Sequence, residues 1–241
     1  MTKYIDRYYL NGELYGIKFD EWWGGWQPGA NTVAYYPLNW DILDHSGHGY
    51  NGVAVTESYE TLSSWKEVYT FNINKNNVLW LTNLPTATVF DWNQLTVSFW
   101  IYYIHSNNER IMCFWPRDSS FEVTWSIIKF TFYDGSVHWP SIAISSVETS
   151  TWHHLVWVRD KAEWVKLYLD GVLSATNNFV WNASVRNNVN SSVWWQYIWW
   201  QLFSNSSMNW KMSEIIFEDK ARTAQEIEDY FNQTKSLYGI S

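Results

Sequence analysis

The amino-acid sequence predicts an all-β domain, an antiparallel sandwich or barrel followed by one short C-terminal helix. Two observations carry this. Short strand-like segments recur about every 8–12 residues with turn residues between them. Helical spacing of apolar residues is confined to the stretch after Thr223. The length of 241 residues suits one large β domain with enough chain to bury a core. Hydrophobic residues make up 46% and charged residues 17%, a globular balance rather than a disordered one.

Residues 1–30 differ from the rest. Tyr8 to Ile17 reads as a small hairpin turning at Asn11-Gly12, and Trp22 to Gly29 breaks any pattern as a linker would. This segment is expected to be an N-terminal arm that attaches residues 31–241 to something larger. Thr32 to Leu38 is the first expected strand of the main domain, and Asp41 to Gly52 a polar, glycine-containing loop. Leu95 to Tyr102 alternates cleanly. Phe121 to Phe132 reads as a strand broken once, followed by a turn at Tyr133 to Ser136. Ser141 to Val147, His153 to Arg159 and Val165 to Asp170 follow as strands, and Asp170-Gly171 signals a tight turn. Thr223 with Glu226 three residues later forms a capping box, and Ile227, Tyr230 and Phe231 then fall at helical spacing.

Tryptophan is over-used: 20 against 11 glycines, where ordinary glycine usage would give roughly 17. Trp40, Trp164 and Trp210 sit in contexts where a turn wants glycine, and Trp194-Trp195 and Trp199-Trp200 flank a short segment as paired glycines would. Two readings stand. Either the tryptophans are aromatic platforms for sugar rings, or UGA codons meaning glycine in the source have been written as tryptophan. The second reading covers Trp40, Trp65, Trp164, Trp194, Trp195, Trp199, Trp200 and Trp210. A native tryptophan forced to positive φ would be strained.

Phosphate binding needs a basic face, which a net charge of −8 and a pI of about 5.2 do not favour, so nucleic acid is not an expected partner. Cys113 is the single cysteine, which rules out an internal disulfide and a thiolate metal cluster. It lies in an apolar run and reads as a small buried hydrophobe. No run fits a secretory signal or the ~20 apolar residues of a membrane span. The expected setting is a virion or another extracellular assembly reached without a cleaved signal, unless the protein stays inside the cell.

A family resemblance emerges from four pieces in order. Ala34-Tyr35-Tyr36-Pro37-Leu38-Asn39 leads into Asp44-His45-Ser46-Gly47-His48-Gly49-Tyr50-Asn51-Gly52. Thr96 to Ile101 follows as a core strand. Thr151 to Val156 then precedes Val165 to Gly171, and Asn209 to Phe217 precedes Thr223 to Ile227. Together, from about residue 31 to 235, these resemble laminin-G-like domains of the concanavalin A-like lectin and glucanase type. The resemblance implies a two-sheet antiparallel jelly-roll β-sandwich, often calcium-bound, used for carbohydrate binding or adhesion. It implies a calcium site built from Asp44, the Gly49 carbonyl and Asn51, closed by Glu214 from the last strand. This chain has Trp40 and Trp210 where the family usually shows glycine, and Ser213 near where it usually shows aspartate. The alternative role for Asp44 and Asn51 is turn closure through side chain to backbone hydrogen bonds.

No catalytic residue is expected. Neighbours on a strand point to opposite faces, so His153 and His154 do not serve one site, and packing accounts for them. Glycoside hydrolysis needs two carboxylates facing across a groove, and the Glu-x-Asp strand of catalytic relatives is missing. Glu226, Glu228 and Asp229 fall on the solvated helix face, and no Gly-x-Ser-x-Gly or His-Glu-x-x-His occurs. The expected function is a non-enzymatic binding module for a glycan or cell-surface polysaccharide. Residues 1–30 are expected to reach other virion or surface proteins. The alternatives are a purely structural decoration protein and a hydrolase of the same fold.

Overall fold

The computed structural model describes residues 5–10, 13–19, 28–54, 56–72, 79–81, 84, 94–102, 109–114, 119–124, 127–132, 141–145, 147–160, 165–177 and 209–241. The strands are β1 (Ile5–Leu10), β2 (Glu13–Phe19), β3 (Thr32–Tyr36), β4 (Gly52–Ala54), β5 (Tyr59–Thr61), β6 (Glu67–Asn72), β7 (Leu79–Leu81) and β8 (Gln94–Tyr102). They continue as β9 (Glu109–Phe114), β10 (Ser119–Thr124), β11 (Ile127–Phe132), β12 (Ser141–Ile144), β13 (Trp152–Asp160), β14 (Val165–Leu169), β15 (Val172–Asn177) and β16 (Asn209–Glu218). Helix α1 (Ala224–Thr234) and a 3₁₀ turn, Lys235–Tyr238, close the chain.

All strand pairs are antiparallel. The large sheet runs β15-β14-β13-β8-β16-β6-β5, with β3 also pairing β16. A second sheet runs β12-β11-β10-β9, and β4-β7 and β1-β2 form separate two-stranded sheets. The expected all-β jelly-roll sandwich is the observed fold. The expected hairpin within residues 1–30 is β1-β2, and the segment read as a strand broken once is the β10-β11 pair.

The centre of the large sheet is β8 paired with β13 over nine residues, Trp152 opposite Tyr102 through Asp160 opposite Gln94. The clean alternation along β8 suggests one wet face, yet Thr96 and Ser98 are fully buried with Leu95, Val97 and Phe99. The reason is a third layer. Leu155 and Trp157 on β13 face the inter-sheet core with Phe99, Phe121, Phe130 and Phe217. Trp152, Val156 and Val158 face the other way, toward Tyr230, Tyr238 and Ile227 of the C-terminal segment. A sheet covered on both faces buries successive residues.

The hairpin between β14 and β15 is a two-residue turn at Asp170 (φ 52) and Gly171 (φ 81), Leu169 lying opposite Val172. Positive φ at both central residues is the hairpin geometry that matches strand twist. A Cβ on Gly171 would lie 3.2 Å from the Phe231 side chain, so α1 packs closely over this turn. The capping box forms as expected: Glu226 N donates to Thr223 Oγ1 at 3.2 Å, and Thr223 N donates to Glu226 Oε2 at 2.8 Å.

Trp210 corrects the reading of its surroundings as a turn. It lies in β16 opposite Phe71, 1% exposed, with its indole in the inter-sheet core. Trp164 and the paired tryptophans at 194–195 and 199–200 lie outside the described residues, as does the Cys113 side chain. No helix among the described residues is long and apolar enough to cross a membrane.

Candidate functional site

The loop joining β3 to β4 carries most of the residues the sequence singles out, and Asp44 organises it. Its Oδ1 accepts from Tyr35 N at 3.0 Å and Ser46 N at 2.9 Å. Its Oδ2 accepts from Ser46 Oγ at 2.9 Å and Tyr50 N at 3.0 Å. Burial alone would raise the pKa of this carboxyl, but these bonds outweigh it and hold Asp44 below the ordinary carboxylate value. Asn51 Oδ1 accepts from Asp44 N at 3.0 Å. Glycines at 47 and 49, φ 93 and 78, let the chain turn without steric penalty. Gly52 is forced for another reason: a Cβ there would meet the Ile42 carbonyl oxygen at 2.6 Å.

Of the four residues expected to hold calcium, Asp44, Gly49 and Asn51 share the loop, and Glu214 comes from β16 with its carboxylate engaged elsewhere. β16 carries one extra residue between the pairs Ser213–Trp100 and Ile216–Ser98, and Glu214 sits at that bulge with φ 53. Fully buried, it binds Lys66 Nζ at 2.6 Å and accepts from the Tyr230 hydroxyl. Ser213, in the place expected for aspartate, donates to the Pro37 carbonyl at 3.0 Å. Four donors already fill the lone pairs of Asp44, and a lysine already neutralises Glu214. The donor set as arranged fits turn closure and a buried ion pair rather than a calcium cage. Among the described residues, no group of three or more His, Cys, Asp or Glu is placed to hold a metal ion.

The outer side of the same loop carries different chemistry. Asp41 Oδ1 accepts from Leu43 N at 3.1 Å, and His45 Nε2 lies 3.1 Å from Asp41 Oδ1 and 3.3 Å from Oδ2. The bond to Asp41 raises the His45 pKa above the ordinary imidazole value against the effect of burial. Burial likewise works against the lowering of Asp41, and the His45 bond and charge with the Leu43 amide together outweigh it. His48 stacks on Tyr50, ring centroids 5.9 Å apart at 11°. Beside them, the Tyr59 hydroxyl donates to Glu57 Oε2 at 2.5 Å, and its ring meets Tyr69 edge-on at 5.4 Å. Burial is the first cause that raises Tyr59, then the bond to Glu57, with a smaller effect of the Asp41 charge. The sequence marks this loop as polar but gives no sign that Glu57 and Tyr59 adjoin it.

The two adjacent histidines sit on opposite faces of β13. His153 Nδ1 is 2.7 Å from Asp170 Oδ2 and its Nε2 is 2.9 Å from the Glu148 carbonyl. With both nitrogens engaged, the ring is a structural clamp on the β14-β15 turn, where Asp170 Oδ1 also accepts from His154 N at 2.8 Å. The Asp-Gly turn was legible, whereas its clamp on His153 was not. His154 is fully buried against Trp100, Tyr230 and Phe231, and among the described residues no hydrogen-bond partner meets either ring nitrogen. Burial, with a smaller effect of Arg222, pushes it down to about 3.

Two packed antiparallel sheets with a helix over the outer face of the larger one define a lectin-like jelly roll. The chain belongs to the concanavalin A-like lectin/glucanases superfamily, whose family model matches residues 81–228, more than half of the sequence. Solved structures of botulinum neurotoxin binding domains share the fold. The serotype C1 binding domain aligns with TM-score 0.67 at 15% identity, over 86% of this chain and 52% of that one. The DC binding domain in complex with rat synaptotagmin II aligns with TM-score 0.66 at 13% identity, over the same shares. A type C structure described through cell entry dependent on two ganglioside molecules aligns with TM-score 0.64 at 14% identity, over 86% of this chain and 51% of that one. The chain thus spans about half the length of these neighbours. A comparison with curated proteins found no match.

Proposed function

We propose that this chain is a non-enzymatic carbohydrate-binding module whose contact surface is formed by Asp41, His45, His48, Tyr50, Glu57 and Tyr59. The observation that carries the reading is the half-exposed Asp41–His45 pair beside the His48–Tyr50 stack, both on a loop stiffened by Asp44. Carboxylate and imidazole suit sugar hydroxyls, ring faces suit the apolar side of a pyranose, and a pre-ordered loop lowers the entropy cost of binding. The superfamily membership supports this class, and so does the neurotoxin neighbour whose description names two ganglioside molecules. An extracellular or virion setting, with residues 1–30 as the attachment, is part of the same proposal.

Binding to a broad glycan array, followed by titration of the best glycan, tests it. Asp41→Asn and Tyr50→Ala should each weaken binding at least tenfold while the fold persists by circular dichroism. No binding to any glycan, in calcium or in chelator, would overturn the reading. A raised melting temperature in calcium alone would restore an ion site at the Asp44 loop.

A second reading rests on the separate β1-β2 sheet: a decoration protein held in a particle by its N-terminal arm. Deleting residues 1–30 should then abolish incorporation and leave the sandwich folded. Persistent incorporation would end that reading.

A further inference from the structure

The hairpin between β5 and β6 is closed at Thr61–Glu67, with Leu62 N donating to the Lys66 carbonyl and Trp65 N to the Leu62 carbonyl, both at 2.8 Å. This leaves Ser63, Ser64 and Trp65 as a three-residue loop. Such loops combine a type I turn with a last residue in the left-handed region, the place glycine fills. Trp65 occupies it at φ 67.

Other non-glycine residues at positive φ have local reasons to be there. Leu38 is fully buried in the inter-sheet core. Asp170 holds His153 and the His154 amide, and Glu214 holds Lys66 and Tyr230. Ser150 is small and polar, a residue type common in turns. Trp65 is bulky and 70% exposed, and among the described residues its indole makes no hydrogen bond or ring contact. A strained position with no compensating contact stands out in a chain of 20 tryptophans and 11 glycines.

We infer that position 65 is glycine in the protein as its source makes it, specified by a UGA codon that the source reads as glycine and that is written here as tryptophan. Trp65 is then a turn residue and no part of a ligand platform. The same decoding extends to any other tryptophan written from UGA. Trp40, 59% exposed, is the next surface position to which it would apply. Trp210, packed in the core, shows no such strain.

Three measurements test this. The gene should carry UGA at codon 65; UGG there overturns the inference. The peptide containing residue 65, taken from protein isolated from its source, should show the mass of glycine by mass spectrometry; the mass of tryptophan overturns it. In recombinant protein, Trp65→Gly should melt above both the parent and Trp65→Ala, since only glycine enters the left-handed region without strain. An alanine variant that melts as high as the glycine variant would remove the structural basis.

Discussion

The two faces of the large sheet are built on different principles. The face toward the second sheet is apolar: Leu155, Trp157, Val97, Phe99, Ile215 and Phe217 meet Phe121 and Phe130, with the Trp157 and Phe130 rings 4.3 Å apart. The face toward α1 is as dry but carries Thr96, Ser98, His154, Glu214, Glu218 and Arg222 among its aromatic rings. Shape alone decides stability on the first face. On the second, several polar groups depend on specific partners: Thr96 Oγ1 bonds the Lys220 carbonyl and the Arg222 amide, Arg222 bonds Glu218, and Glu214 bonds Lys66 and Tyr230. The apolar contacts of the first face should therefore respond to volume and not to pH, leaving its pH dependence to the His153 clamp, and the second face should respond to charge.

Trp157→Ala tests the apolar face and should have the largest effect. A large-to-small change at a fully buried indole costs about 3–5 kcal/mol. Denaturant unfolding between pH 5 and 8 should show the same loss throughout. A loss that varies strongly with pH would erase the distinction between the faces.

Glu214→Gln tests the charged face. It leaves Lys66 beside a neutral side chain in a site where Lys66 is only 10% exposed. Breaking a buried pair on one side costs on the order of 3 kcal/mol, whereas replacing both partners is often near neutral. The double change Glu214→Gln with Lys66→Met should recover much of the loss. Additive losses in the double-mutant cycle would mean that the pair is not coupled.

How much of this was legible follows from how local each cause is. The capping box at Thr223–Glu226, the Asp170-Gly171 turn and the opposite facing of His153 and His154 are written in adjacent residues, and they stand. The burial of Thr96 is not, because the segment that covers it arrives some 120 residues later as Lys220 and Arg222. The engagement of Glu214 by Lys66 and Tyr230 was not legible for a smaller reason. A single bulge residue re-aims a side chain, and sequence alternation carries no mark of it. At the Asp44 loop the residues were legible but their role was not. An aspartate ready for a cation and an aspartate closing a turn look alike until the donors on Tyr35, Ser46 and Tyr50 are in place.

The adjacent histidines give the sharpest form of the comparison, with an effect spread over several pH units. His154, pushed down to about 3 in the folded state, binds a proton more readily when unfolded. Its contribution is complete above the unfolded value near 6.5 and is lost as pH falls from there toward 3, by at most about 1.4 kcal/mol per pH unit. His153 is raised: burial works against it, and the bonds to Asp170 and the Glu148 carbonyl prevail. Its contribution is complete below pH 6.5 and is lost as pH rises through its folded value. Melting temperature against pH should thus flatten on the acid side in His154→Leu and on the neutral side in His153→Gln. If both variants changed the same limb of the profile, the two faces would not be electrostatically independent.

The smallest expected effect lies at the edge of the charged face. Thr223→Ala removes the hydroxyl that accepts from Glu226 N and should cost about 1 kcal/mol. Because α1 covers His154 through Tyr230 and Phe231, loosening its first turn should also admit water to that ring. The variant should then show a shallower acid limb than the parent, as His154 regains an ordinary pKa in the folded state. A uniform loss of about 1 kcal/mol at every pH would show instead that the cap holds the helix end without controlling the buried layer beneath it.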